Sequence, residues 1–148
     1  MNLPTLENVD LKGKRVFVRG DIDVPLVQKI EDRSQKLEIA DDTRLKDIWP
    51  TIEYLLNQDC EVVLAGHLGR PDGKVDPALS SEPIAQWFLN KTIKANEAIK
   101  TRTLGVFSAF AVTDKLTVLE NLRFDPREEA NPSMDSVNSP QASSWQVY

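Results

Sequence analysis

The run Glu61-Val62-Val63-Leu64-Ala65 constrains this chain more than any other segment. Its apolar residues follow one another without the polar–apolar alternation of a half-exposed strand. It therefore predicts a strand covered on both faces, as in a parallel sheet. A parallel strand needs a long crossover to its neighbour, and the flanking sequence supplies the material. Upstream, Arg15-Val16-Phe17-Val18 is a short β-prone run entered through Lys12-Gly13-Lys14 and left at Gly20. Between the two runs, Asp41-Asp42-Thr43 offers N-cap candidates, and Leu45, Ile48, Ile52, Leu55 and Leu56 recur at helical spacing. Pro50 falls inside that pattern and is expected to bend the helix or delay its start. Downstream, Ser81-Glu82-Pro83 reads as a cap followed by acid and proline in a first turn. A second helix is expected from there through Ile84, Trp87 and Phe88 to about residue 93. Leu116 to Leu119 reads as a further strand. Strand, helix, strand, helix, strand predicts an α/β fold, a mostly parallel sheet of about four strands flanked by helices.

One link resists this scheme. Leu104 to Val112 also reads as a strand, yet only Thr113-Asp114-Lys115 separate it from Leu116, and a parallel crossover takes about a dozen residues or more. The two runs form an antiparallel pair, or Leu104 to Val112 is not one full strand. Val27 to Ala40 is polar and broken only by Ile30, Leu37 and Ile39, the pattern of a surface excursion such as a hairpin. After Phe124 the apolar pattern fades, and residues 131–148 are rich in Ser, Asn, Gln and Pro. The expected organisation is a folded unit over residues 1–129 and a disordered tail over 130–148.

Charge and cysteine content narrow the function classes. With 18 Lys and Arg against 23 Asp and Glu, the formal net charge is −5, which argues against a nucleic-acid partner, since such binding draws on a surplus of cations. Any anion site must be local. Cys60, the only cysteine, can build neither an internal disulfide nor a zinc cluster of cysteines, which fits a reducing, cytoplasmic setting. Met1 to Asp10 holds no basic stretch followed by an apolar core, and no apolar run approaches the roughly 18 residues of a membrane span. No membrane partner is expected.

Ligands of open parallel sheets bind outside the carboxyl ends of the strands, and here those ends are charged. The first strand leads to Asp21 and Asp23, the second to His67 and Arg70 in Gly66-His67-Leu68-Gly69-Arg70-Pro71, and the last to Arg123. Arg44, at the start of the first helix, falls on the same edge, where the helix N-terminus adds partial positive charge. Three guanidiniums and an imidazole suit a small phosphorylated carboxylate, because a guanidinium meets either group with two parallel hydrogen bonds. Each residue also has a plainer reading. Arginines at loop or helix starts are mostly solvated, a single histidine is most often structural, Gly66 and Gly69 can serve only to relieve turn strain, and Asp21 and Asp23 can cap a turn. On the residues alone both readings stay open.

At these positions the sequence resembles phosphoglycerate kinase. The matching words are Leu11-Lys12-Gly13-Lys14-Arg15-Val16-Phe17-Val18-Arg19, Asp21-Ile22-Asp23-Val24-Pro25, Asp41-Asp42-Thr43-Arg44, Pro50-Thr51-Ile52-Glu53-Tyr54-Leu55-Leu56, His67-Leu68-Gly69-Arg70-Pro71, Gly73-Lys74-Val75-Asp76-Pro77 and Leu119-Glu120-Asn121-Leu122-Arg123-Phe124. They occur in family order over residues 9 to about 130. The resemblance implies a partial, Rossmann-like N-terminal lobe of a two-lobe glycolytic kinase that moves a phosphoryl group between 1,3-bisphosphoglycerate and ADP, giving 3-phosphoglycerate and ATP. It implies that Asp21 and Asp23 contact the glycerate portion. It also implies that Arg44, His67, Leu68, Gly69, Arg70 and Arg123 surround the phosphate and carboxylate, with Arg44 assigned to catalysis. Mg-ATP or Mg-ADP belongs to the family's other lobe, so no nucleotide or metal site is expected within this chain. The implied partners are 3-phosphoglycerate or 1,3-bisphosphoglycerate and a separate nucleotide-binding lobe.

Departures from the family pattern bear on activity. Asp23 stands where the family has Asn, which places an extra carboxylate before an anionic substrate. Gly20 replaces an apolar residue, the excursion from Val27 to Ala40 is longer than the common bacterial form, and Thr113-Asp114-Lys115 stands where a helix is usual. Beyond Glu129 the rest of the substrate lobe, with a further arginine, and the nucleotide lobe have no counterpart. No Gly-x-x-x-x-Gly-Lys-Ser/Thr loop occurs, and Gly66 to Gly73 does not fit the dinucleotide pattern. The chain is expected to be a truncated kinase, inactive alone. The alternatives are a non-catalytic phosphometabolite-binding module or an inactive gene fragment.

Overall fold

In the computed structural model, which describes residues 5–31, 34–92 and 98–130, the strand β4 (Glu61–Ala65) lies between two parallel neighbours, β1 (Arg15–Arg19) and β7 (Leu116–Leu119). Its alternate residues serve two cores. Val62 and Leu64 join the main core with Leu45, Ile52 and Leu55 of helix α1 (Thr43–Asn57) and Ile84, Ala85, Phe88 and Leu89 of helix α2 (Glu82–Thr92). Val63 and Ala65 face the other way, toward Ala109 and Leu119, in a smaller cluster to which neither α-helix contributes. This two-sided burial is why the run reads as continuously apolar. Each fully buried Leu, Ile or Phe contributes about 1.5–3 kcal/mol to folding.

The sheet has five strands in the order β1-β4-β7-β6-β5. Its two additional members are β5 (Lys100–Leu104) and β6 (Phe107–Ala111), antiparallel to each other, and β6 is antiparallel to β7. The segment from Leu104 to Val112 is therefore not one strand: Leu104 closes β5 opposite Phe107, Gly105 makes the turn with φ of 63°, and β6 fills most of the remainder. The three-residue link before Leu116 joins antiparallel neighbours, which need no crossover. The α/β class holds, with a parallel core of three strands and an antiparallel flank. The excursion after Pro25 is a separate hairpin, β2 (Leu26–Glu31) with β3 (Ser34–Ile39).

Helix α1 starts at Thr43 without delay and runs through Pro50. The side chain of Asp42 makes no capping bond. Its carboxylate instead accepts from Trp87 Nε1 at 2.9 Å and pairs with Lys46 at 2.7 Å, fastening the start of α1 to α2. Thr43 N–H donates to Asp41 Oδ1 at 2.8 Å. Trp87 packs edge-on against Phe88 and Trp49, with ring centroids 5.0 and 6.5 Å apart. Helix α2 begins after Ser81 as expected, but the capping bond comes from Ser80, whose Oγ accepts from Glu82 N–H at 3.2 Å, while the buried Ser81 Oγ finds no partner among the described residues. Among the described residues no helix is long and apolar enough to cross a membrane. The tail expected to be disordered lies outside the described residues from position 131 onward.

Candidate functional site

Because β1, β4 and β7 are parallel, their carboxyl ends open on one edge of the sheet, and each delivers a charged loop there. Leaving β1, Gly20 N–H donates to the Ala65 carbonyl at 2.9 Å, extending the ladder by one bond. Ile22 and Val24 then turn into the core, 0% and 5% exposed, which leaves Asp21 and Asp23 on the outer side. The loop after β4 passes so close that a Cβ on Gly66 would lie 2.6 Å from the Gly20 carbonyl oxygen and 2.6 Å from Ile22 Cγ1. Only glycine fits there.

The Gly69 peptide ties the three loops together. Its N–H donates to Asp23 Oδ1 at 2.9 Å, and its carbonyl accepts from Arg123 Nη1 at 2.9 Å. Gly69 adopts φ of 57°, the left-handed region that side chains disfavour. Buried Asn121 supports the same loop: its Oδ1 accepts from Leu68 N–H at 3.2 Å and Arg123 N–H at 3.1 Å, and its Nδ2 donates to the Leu68 and Leu79 carbonyls at 2.8 and 3.0 Å. Glu120 accepts from Ser80 Oγ, Ser81 N–H and Asn121 N–H at 2.9, 2.7 and 2.8 Å, fixing the end of β7 to the start of α2. The Leu68 side chain is buried, so that residue reaches the network through its backbone.

Arg44 stands beside this cluster. Its Nη1 lies 2.7 Å from both carboxylate oxygens of Asp21. Partial burial pushes the Asp21 acid up, but the Arg44 hydrogen bond, the Asp23 N–H, the Arg44 charge and the charge of His67 outweigh it and hold the group below the ordinary carboxylate value. The same hydrogen bond and charge raise Arg44 further, so it is cationic throughout. His67 Nε2 sits 3.8 Å from Asp23 Oδ2, beyond hydrogen-bond reach. Arg70 is exposed and makes no hydrogen bond or ion pair among the described residues. Asp21, Asp23, Arg44, His67, Leu68, Gly69 and Arg123 thus come to one edge, through Asp21 to Arg44, Asp23 to Gly69 and His67, Gly69 to Arg123 and Asn121 to Leu68, whereas Arg70 follows Gly69 in the chain with no contact among the described residues that fixes its side chain there.

The sequence reading missed Asn121 as a loop support and Glu128 and Glu129 as neighbours of Arg123. Arg123 Nε lies 3.4 Å from Glu128 Oε2 and 3.1 Å from Glu129 Oε1. Asn121 sits inside a motif that was read for Arg123 alone, whereas no pattern marks the two glutamates. Asp21, Asp23, Glu128 and Glu129 thus stand near Arg44 and Arg123, and Glu128 pairs with Arg19 as well. A cavity of about 600 Å³ lies between the β2–β3 hairpin and α2, lined by Gln28, Ile39, Pro77 and Trp87. It contains none of the predicted residues. Among the described residues no group of three or more His, Cys, Asp or Glu is placed to hold a metal ion.

Comparison with known proteins converges on one family. A family model for phosphoglycerate kinase matches residues 6–148. The chain is 42% identical over 136 residues to the phosphoglycerate kinase of Chloroflexus aggregans, covering 88% of this chain and 32% of that one. It is 44% identical over 131 residues to that of Desulforudis audaxviator, covering 86% and 31%. Among solved structures it is similar to phosphoglycerate kinase from Pyrococcus horikoshii, with a TM-score of 0.59 and 26% identity over 88% of this chain and 30% of that one. It is also similar to the enzyme from Coxiella burnetii, with a TM-score of 0.57 and 26% identity over 81% and 28%. The chain spans about a third of the length of the curated relatives it matches.

Proposed function

This chain belongs to the phosphoglycerate kinase family, and we propose from that premise that it is a substrate-binding portion whose charged sheet edge holds 3-phosphoglycerate or 1,3-bisphosphoglycerate. The observation that carries the reading is the Gly69 peptide, which links Asp23 on one side to Arg123 on the other and so supports a single pocket built from three strand ends. Arg44, Arg70 and Arg123, with His67, meet the phosphate and carboxylate. Asp21 and Asp23, acceptors when ionised, take the hydroxyl of the glycerate. Leu68 and Gly69 contribute backbone.

Phosphoryl transfer asks a protein mainly to position the reactants and to neutralise charge. On this reading the chain does both for the acceptor side alone. Arg44 neutralises charge nearest the transferring group, and the Gly69–Asn121 framework orients the loop that carries Arg70. On this reading the family's magnesium nucleotide belongs to a separate nucleotide-binding lobe, the proposed partner, in a cytoplasmic setting. The isolated chain is expected to show no turnover in a coupled assay with 1,3-bisphosphoglycerate and MgADP; ordinary kinase rates from pure protein would refute that part.

The binding claim is tested separately by calorimetry with 3-phosphoglycerate. Salt-sensitive binding that disappears in Arg70→Ala is the expected result, since exposed guanidinium–anion contacts weaken as salt screens them. No heat at millimolar ligand would overturn the assignment.

A further inference from the structure

Arg123 reaches the sheet edge already engaged. A guanidinium grips a carboxylate or phosphate through a pair of adjacent N–H groups, either Nη1 with Nη2 or Nε with Nη2. In Arg123 the first pair is half taken, because Nη1 donates to the Gly69 carbonyl at 2.9 Å. The second faces Glu129 Oε1 at 3.1 Å and Glu128 Oε2 at 3.4 Å. Its Nε is buried and makes no hydrogen bond among the described residues, so the contact with the two glutamates is one of charge rather than of aligned donor and acceptor. Neither edge is free for a two-bond grip.

The acidic pair is held in place. Glu128 Oε1 accepts from Arg19 Nη2 at 2.6 Å, and the Glu128 side chain is only 13% exposed. The turn that carries it is closed by Glu128 N–H donating to the Asp125 carbonyl at 3.1 Å and by Arg127 N–H donating to Asp125 Oδ1 at 2.9 Å. Glu128 is thus shared between Arg19, the last residue of β1, and Arg123 at the site. Glu129 is more exposed, at 43%.

We propose that Glu128 and Glu129 form a built-in competitor for the anion at Arg123, so that ligand binding is an exchange in which an external anionic group displaces these carboxylates from the guanidinium. Arg19 moderates the exchange by drawing Glu128 away from Arg123. The proposal rests on the anion-binding reading of the edge and adds what sets its affinity.

Calorimetric titration of 3-phosphoglycerate, with inorganic phosphate as a second probe, tests it on the intact chain and on three variants. Glu129→Gln and Glu128→Gln should each tighten binding about two- to fivefold, the scale of a partly exposed ion pair. Arg19→Gln should weaken it about twofold, because the charge of Glu128 then falls on Arg123 alone. A purely structural role for the Arg19–Glu128 contact would move Glu128→Gln and Arg19→Gln in the same direction, since both break the same bond, and that result would overturn the proposal. So would unchanged or weaker binding by Glu129→Gln. Binding by the parent chain without tightening in the glutamine variants defeats the competitor alone, whereas no binding by any of the four proteins defeats both it and the substrate-binding assignment.

Discussion

The parallel and antiparallel halves of the sheet differ in what they place at their ends. β1, β4 and β7 run the same way, so three loops meet at one edge and bring Asp21, His67, Gly69 and Arg123 together. β5 and β6 run against each other, so their connections fall at alternate ends, and Arg102 of β5 lines a cavity with Arg15, Glu61 and Lys115, at the starts of the parallel strands rather than where they end. The lesson is that strand direction, more than charge content, decides where chemistry collects. β5 carries Lys100 and Arg102, yet all but the last of its residues are exposed.

Perturbing the two halves should sharpen this contrast. The largest effect is expected on stability. Leu64, fully buried in the parallel core, should cost about 2–5 kcal/mol when replaced by Ala, whereas exposed Thr101→Ala in β5 should stay within about 0.5 kcal/mol. Urea denaturation measures both, and equal losses would break the distinction. Next in size, Asn121→Ala strands the Leu68 N–H and the Leu68 and Leu79 carbonyls, at about 1–3 kcal/mol. It should also weaken 3-phosphoglycerate binding, and loss of stability with unaltered affinity would separate the loop support from the site.

A smaller effect concerns charge. Asp23→Asn keeps an oxygen for the Gly69 N–H while removing one carboxylate from the edge, and should tighten 3-phosphoglycerate binding about two- to fivefold in calorimetry. The smallest is a pH effect. Asp21 is held below its ordinary value in the folded chain, so its contribution to stability is present above about pH 3.9, its unfolded value, and is lost as pH falls through the folded value. Because Arg44 and Asp21 are both more than half exposed, the contribution is small. Comparing acid denaturation of the parent chain with Asp21→Asn isolates it: the variant should lack that part of the acid-side loss.

Much of the fold was legible because burial leaves a pattern. β4 is apolar from Val62 to Ala65 since both its faces are covered there, and α1 shows helical spacing since Leu45, Ile52 and Leu55 all enter the core. β5 was not legible. Lys-Thr-Arg-Thr presents no apolar face to any core, and it is a strand because β6 pairs with it, a tertiary cause that local propensity does not record. The site divides in the same way. Asp21, Arg44, His67, Arg70 and Arg123 lie near strand or helix ends, where position predicts proximity. Glu128 reaches Arg19 across 109 positions of sequence, a pairing set by the fold and carrying no periodic signal.

The central claim is that an anion is held where the parallel strands end. A two-dimensional amide NMR titration with 3-phosphoglycerate tests it residue by residue. Shifts are expected to centre on the backbone amides of Asp23, Leu68, Gly69 and Arg123, with little change in β5, β6 or the Trp87-lined cavity. Shifts centred on that cavity or on the antiparallel strands, with Gly69 and Arg123 unmoved, would contradict it.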